Sequence, residues 1–209
     1  MYTELRYIPG ESVKYIELVG LYEAIGATTK RLEITRYIVD FLKKTPGRVI
    51  DKIVYLTQGK LYPDFAGVDM GIAEKTALKA LSAATGLSLE KVEGELRSRG
   101  DVGTAAERLL VTNRQVTLSE KELMVQDVYD ALDKIARTTG AGSVDAKVKA
   151  LSGLLMDAKP VEAKYIMRTV TGKMRLGIAD MTILEALAQA YAGKECYNRR
   201  RKYGNAGRY

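Results

Sequence analysis

Two glycine-led segments carry the residue types and spacing that could hold a phosphate. Residues 71–81 read Gly-Ile-Ala-Glu-Lys-Thr-Ala-Leu-Lys-Ala-Leu, and residues 177–187 read Gly-Ile-Ala-Asp-Met-Thr-Ile-Leu-Glu-Ala-Leu. Seven of the eleven positions are identical and an eighth is acidic in both, at an offset of 106 residues. Each copy follows a loop of glycine and basic residues: Gly59, Lys60 and Gly67 before the first, Gly172, Lys173 and Arg175 before the second. A helix N-terminus leaves backbone N–H groups unpaired and carries about half a positive charge. A glycine there lets an anion approach with no Cβ in the way. The residues alone leave two uses open. Gly71 and Gly177 suit phosphate contact, and they equally suit tight packing of a loop on a helix. Glu74 and Asp180 in the first turn favour the helix dipole in either case.

Most other chemistry is excluded by residue type. The 209-residue chain has no histidine, which removes His-based triads, His metal ligands and a near-neutral base. Its one cysteine, Cys196, allows neither an internal disulfide nor a cysteine-based metal site, and a reducing, cytoplasmic setting is expected. Asp40, Asp127, Asp130 and Asp133 lie among lysines and read as solvated helix faces rather than a metal cluster. Met167 and Met174 read as packing or groove-lining residues rather than ligands. No apolar run approaches the roughly 18–20 residues of a membrane span, and Met1 to Gly10 lacks a basic-then-apolar leader, so no membrane partner is expected. The net charge is +7, but the last 16 residues, 194–209, hold six basic residues and one acid. That basic tail accounts for +5, leaving only +2 on residues 1–193. Net charge alone does not make the body a nucleic-acid binder.

The elements that must position the two segments all read with helical period. Val13, Ile16, Leu18, Val19, Tyr22 and Ile25 form one stripe, and Leu32, Ile38, Val39, Phe41 and Leu42 a second. Thr45-Pro46 reads as an N-cap with proline at the first helical position before a third. Residues 58–69 read as a loop. Ala73 to Thr85 forms a helix closed by Gly86, and Ser88 caps the next. Ser119 with Glu122 reads as a capping box opening a long helix through Val125, Val128, Leu132 and Ile135. Ser143 caps another, with Val144, Val148, Leu151 and Leu155 inward. Pro160 opens one that runs to Val170, and Ile178 to Tyr191 forms the last. No alternating strand pattern is present. The expectation is an all-α fold in one domain, 1–193, built as two pseudo-symmetric halves of about 1–100 and 101–193.

The second segment and its approach also carry a family likeness. Tyr165-Ile-Met-Arg-Thr-Val-Thr-Gly-Lys-Met-Arg-Leu-Gly-Ile-Ala-Asp180, continuing to Ala188, resembles the signature of the N-terminal DNA-binding domain of archaeal-type ATP-dependent DNA ligases. Thr29-Lys-Arg-Leu-Glu-Ile-Thr-Arg36, Leu56-Thr-Gln-Gly-Lys-Leu-Tyr-Pro63 and Gly140-Ala-Gly-Ser-Val-Asp-Ala-Lys147 support it in the same order. The likeness covers about residues 1–193. It implies an all-helical domain of two pseudo-symmetric halves that binds the minor groove of nicked duplex DNA. In the family, a nucleotidyltransferase and an OB-fold domain complete the ring around the break. Matched by position, the implied backbone contacts are Gly172, Arg175, Gly177 and Ala179, with Lys173 beside them. Gly71, Ile72 and Ala73 are the first-half counterparts. Lys60, Arg31 and the Ser143–Lys147 turn are further candidate phosphate contacts. Main-chain amides with a few Lys and Arg suit an enzyme that must act at any sequence.

The departures set limits on that likeness. The adenylated lysine of these ligases stands in a Lys-x-Asp-Gly motif, and this chain contains none. The full-length family uses ATP and magnesium; no cofactor, and no ligation, is expected on this chain alone. The tail from Cys196 alternates tyrosine with arginine and does not follow the family pattern; it reads as a divergent end more readily than as a nucleic-acid-binding arm. Gln115 and Leu118 fit the first and fourth positions of a sliding-clamp motif, but Ser119, Glu120 and Lys121 stand where its aromatic pair belongs. The competing reading from another class is a helical protein-interaction module with no direct DNA contact, for which a clamp is one partner.

Overall fold

The computed structural model describes residues 12–68, 72–113 and 122–192. Among them are ten α-helices and no named strand: α1 (Tyr15–Gly26), α2 (Arg31–Leu42), α3 (Ile50–Thr57), α4 (Glu74–Thr85), α5 (Leu89–Arg99), α6 (Val102–Asn113), α7 (Val125–Arg137), α8 (Ser143–Asp157), α9 (Pro160–Val170) and α10 (Asp180–Leu187). The all-α expectation holds. A single antiparallel bridge, Lys14 to Met124, is the one extended pairing among the described residues.

The chain forms two compact units. Of the described residues, one unit takes 20–50 and 176–192, and the other takes 12–19 and 51–175. This partition cuts across the sequence halves: the first repeat copy lies in the larger unit and the second in the smaller. In the larger unit α6 packs along α9, α4 along α8, and α5 against both α4 and α6. Its core holds Leu56, Leu81, Leu110, Leu132, Ile135, Leu151 and Tyr165, each almost wholly buried. In the smaller unit α2 packs on α10, and Ile34, Ile38, Val39 and Leu42 meet a core that includes Leu176, Ile183 and Ala186.

Several local expectations are corrected. Leu32 is 82% exposed. The buried stripe of α2 runs Ile34–Ile38–Leu42 with Thr35 and Val39, and a residue two before Ile34 points about 200° away from it. Thr45 is not a cap: its hydroxyl donates back to the Phe41 carbonyl, and Pro46 precedes a 3₁₀ turn, Gly47–Val49, from which α3 follows. Ser119 lies outside the described residues. There α7 begins at Val125, its start secured by the Asp127 carboxylate accepting the Met124 N–H, while Glu122 pairs with Lys14 at 2.8 Å. Ser143 is the first helical residue of α8 rather than its cap, which is Gly142, and Val144 faces solvent. The last α-helix is shorter than expected, ending at Leu187 in a π-turn, Ala188–Ala192. Pro160 does open α9, and Gly86 and Gly100 close α4 and α5 with left-handed backbones.

Candidate nucleic-acid interface

The two repeat copies adopt the same start. Ala73 is the N-cap of α4 at φ −65 and ψ 147, and Ala179 is the N-cap of α10 at φ −77 and ψ 147. In each, the threonine three residues on donates its N–H to the alanine carbonyl: Thr76 to Ala73 at 2.9 Å and Thr182 to Ala179 at 2.8 Å. Alanine has no side-chain oxygen to cap the first turn. No side-chain cap bond forms at either end, and each helix begins among exposed residues. Ile72 is buried and can offer a ligand only its main chain. Gly71 lies outside the described residues.

In the larger unit, the loop after α9 carries two of the sequence-predicted cations, Lys173 and Arg175, and meets the turn that precedes a third, Lys60. Thr171 ends the helix, Gly172 turns at φ 66, and the Lys173 N–H donates to the Arg168 carbonyl at 2.8 Å. The buried Met174 anchors the loop, its sulfur accepting from the Thr169 hydroxyl at 3.2 Å. The Gly59 turn closes against it. A Cβ on Gly59 would stand 2.8 Å from Met174 Cγ, and Gly59 sits at φ 72, so only glycine lets the Lys60 loop come this close. Leu61 and Tyr62 tie that loop to α7: the Tyr129 hydroxyl donates to the Leu61 carbonyl, and the Tyr62 hydroxyl donates to Asp133 at 2.7 Å beneath Arg137. The resulting recess, about 350 Å³, is lined by Gly59, Lys60, Leu61, Tyr62, Asp64, Gly67 and Val68.

Lys173 and Arg175 project from this loop with exposed heads. Lys173 Nζ pairs with Glu74, the first residue of α4, at 2.6 Å, which joins the loop before the second repeat copy to the helix of the first. Arg175 is the one described non-glycine residue at positive φ, 54°. Its guanidinium donates to the Gly100 carbonyl at 2.9 Å and lies 3.5 Å from Asp101 Oδ1.

Asp101 is the residue that sequence reasoning missed. It is buried, and its Oδ2 accepts from Arg168 Nη2 at 2.8 Å and from both the hydroxyl and the N–H of Thr104 at 2.7 and 2.9 Å. Burial pushes its carboxyl up, but Arg168 and the two Thr104 donors outweigh that and hold its pKa down at about 2. Asp101 is therefore charged at neutral pH and anchors the corner that Arg175 leans on. A local signal existed, since an aspartate three residues before a threonine at a helix start is a cap pattern. Its partner Arg168, 67 residues away, left none.

In the smaller unit, Arg31, Gly177 and Ala179 come together. They line one recess of about 220 Å³ with Thr29, Ile34, Ile178, Met181 and Thr182. Gly177 turns at φ 64 with nothing within 4 Å of where a Cβ would stand, so its face is open. Arg31 Nη2 bonds Glu185 of α10 at 3.0 Å. Ser143 and Lys147 lie on α8 and enter neither group; Lys147 is buried, so its ammonium is not presented as that of Lys173 is. Gln115–Leu118 and the 194–209 tail lie outside the described residues. Among the described residues no group of three or more acidic or sulfur ligands could hold a metal ion, and no helix is long and apolar enough to cross a membrane.

Comparison with known proteins gives this arrangement a family. Residues 14–188 match the family described as DNA ligase N terminus. The chain is 52% identical over 188 residues to DNA ligase 2 of Thermofilum pendens, covering 87% of this chain and 31% of that protein. It is 46% identical to DNA ligase of Nitrosopumilus maritimus over 85% of this chain and 30% of that protein, and 43% identical to DNA ligase 2 of Korarchaeum cryptofilum over 91% and 32%. The chain thus spans about a third of the length of these relatives. It belongs to the DNA ligase N-terminus family.

Proposed function

We propose that this chain binds nicked duplex DNA through the minor groove without reading its sequence, as the DNA-binding part of an ATP-dependent DNA ligase. The observation that carries the reading is the repeated helix start. Two copies of one segment present helix starts of the same backbone geometry with no side-chain cap bond, and each has a cation held beside it in its own unit: Lys173 at α4 and Arg31 at α10. We take the copies as descendants of one half-domain, within halves of about 1–100 and 101–193. Lys173, Arg175 and Lys60 with Ile72–Ala73 form one phosphate-holding group, and Arg31 with Gly177 and Ala179 forms another. Such donors grip phosphates and carry no base information, as an enzyme sealing any sequence requires. Nucleotide and magnesium chemistry is assigned to the remainder of the ligase, since no Lys-x-Asp-Gly stands here.

A protein-interaction module is the second reading. The exposure of Leu32 (82%) and Met181 (65%) on the smaller unit favours it. Fluorescence anisotropy with nicked duplex, intact duplex and single strand, across a salt series, separates the two. Duplex binding tighter than single-strand binding, weakening steadily with salt, supports the DNA reading. Absence of duplex binding at low salt moves the interaction module ahead.

A further inference from the structure

Each cation assigned to a phosphate already faces a carboxylate. Lys173 meets Glu74 at 2.6 Å, Arg31 meets Glu185 at 3.0 Å, Lys60 meets Asp64 at 2.6 Å, and Arg175 lies 3.5 Å from Asp101. These carboxylates are not alike. Asp101 is buried and also holds Arg168 and Thr104, so it belongs to the fold. Asp64 is largely exposed and Glu74 about half exposed, and they are paired with Lys60 and Lys173, which are partly exposed. Glu185 is more enclosed, but Arg31 opposite it is 65% exposed. Exposed pairs of this kind add at most about 1 kcal/mol to folding. Stability therefore gives little reason for Lys173 and Lys60 to have one.

We propose that Glu74 and Glu185, with Asp64 as a third instance, are competing acids: they occupy the phosphate-binding cations of the free protein and must yield them to the DNA backbone. This inference rests on the DNA-binding reading above. The carboxylate holds its cation's side chain in place, so the donor is oriented before DNA arrives. It also lowers affinity, because the phosphate replaces an existing partner and then stands beside the displaced acid. At a separation of about 8 Å, one unit charge repels another by about 0.5 kcal/mol in water, which is about a twofold change in affinity. The device keeps a sequence-independent grip weak enough to release. It also explains why a body with only +2 net charge carries the basic residues of both groups paired rather than bare.

The test is anisotropy of the full chain on nicked duplex across a salt series. The proteins compared are the wild type, Glu74→Gln, Glu185→Gln and the control Glu90→Gln, an exposed acid at the end of α5 away from Gly100. Thermal unfolding confirms that each is folded. Glu74→Gln and Glu185→Gln are each expected to bind about twofold to fivefold tighter at low salt, because one repelling charge and one competing pair are gone. Each should steepen the slope of log affinity against log salt by up to about 0.9, because no freed carboxylate takes up a cation when the phosphate displaces it. Glu90→Gln should change neither. If the wild type binds duplex with a clear salt slope and both variants match the control or bind more weakly, the acids are supports and the inference is overturned. If the wild type shows no salt-dependent duplex binding, the inference falls with the DNA-binding reading, a result distinct from the first.

Discussion

Arg175 offers a test in which two variants differ in stability and share one loss in binding. Its left-handed backbone costs a residue with a side chain roughly 1–2 kcal/mol. The guanidinium offsets part of this with the bond to the Gly100 carbonyl, worth about 1 kcal/mol net. Its half-exposed pairing with Asp101 adds at most about 1 kcal/mol more. Arg175→Ala removes both contacts and keeps the strain, so unfolding free energy should fall by about 1–2 kcal/mol. At about 2–4 °C per kcal/mol for a chain of this size, Tm should drop by about 2–8 °C. Arg175→Gly loses the same contacts but releases the strain, less about 0.4–1 kcal/mol for the added freedom of the unfolded chain. It should return to within about 1 kcal/mol of the wild type. Both variants lose one phosphate contact, so both should flatten the salt slope on nicked duplex by about 0.9. Thermal unfolding and salt-series anisotropy on the three proteins read these quantities separately. Equal Tm for the glycine and alanine variants would refute the strain argument, and an unchanged slope in both would remove Arg175 from the interface.

The other predictions concern the elements around it. Gly177→Ala, at φ 64 in open space, should lower stability by roughly 1–2 kcal/mol from backbone strain, yet weaken duplex affinity about tenfold because a methyl group enters the phosphate's path; a Tm loss with unchanged affinity would make Gly177 purely structural. Asp101, with its folded pKa lowered to about 2 against about 3.9 unfolded, stabilises fully above about pH 4 and loses that contribution as pH falls toward 2. Acid titration should therefore remove on the order of 2 kcal/mol in that window from the wild type, and Asp101→Asn should lack this limb. Leu132→Ala, in the wholly buried middle of α7, should cost about 2–5 kcal/mol in denaturant unfolding while leaving the salt slope of the remaining folded protein intact.

What the sequence made legible follows from how local each signal is. Helix α7 was readable because Val128, Leu132 and Ile135 repeat at helical spacing, and the ends of α4 and α5 because Gly86 and Gly100 occupy left-handed closing positions. The repeat exposed both helix starts and the basic loops before them, and the family likeness implied DNA contact for Lys173 and Arg175. Leu32 was misplaced because an apolar type next to a stripe looks like part of it until the phase is fixed by the partner helix. Ser143 and Val144 were misplaced because Gly142, not the serine, sets the start of α8. The acids that face the cations could not be read, since Glu74 lies 99 residues from Lys173 and Glu185 lies 154 from Arg31. Pairings at that range are decided by packing rather than by local pattern. Asp101 was missed for the same reason: its cap-like position is local, but its weight comes from Arg168.

The central claim, that main-chain amides at the repeated helix starts and their loops hold DNA phosphates, is tested most directly by amide hydrogen exchange of the full chain with and without nicked duplex. The account predicts slowed exchange at residues 172–175, at 177–180 and at 72–75, with the buried middle of α7 unchanged. Protection absent from those segments while the DNA is bound, or confined to the exposed Leu32 and Met181 surface, would contradict it.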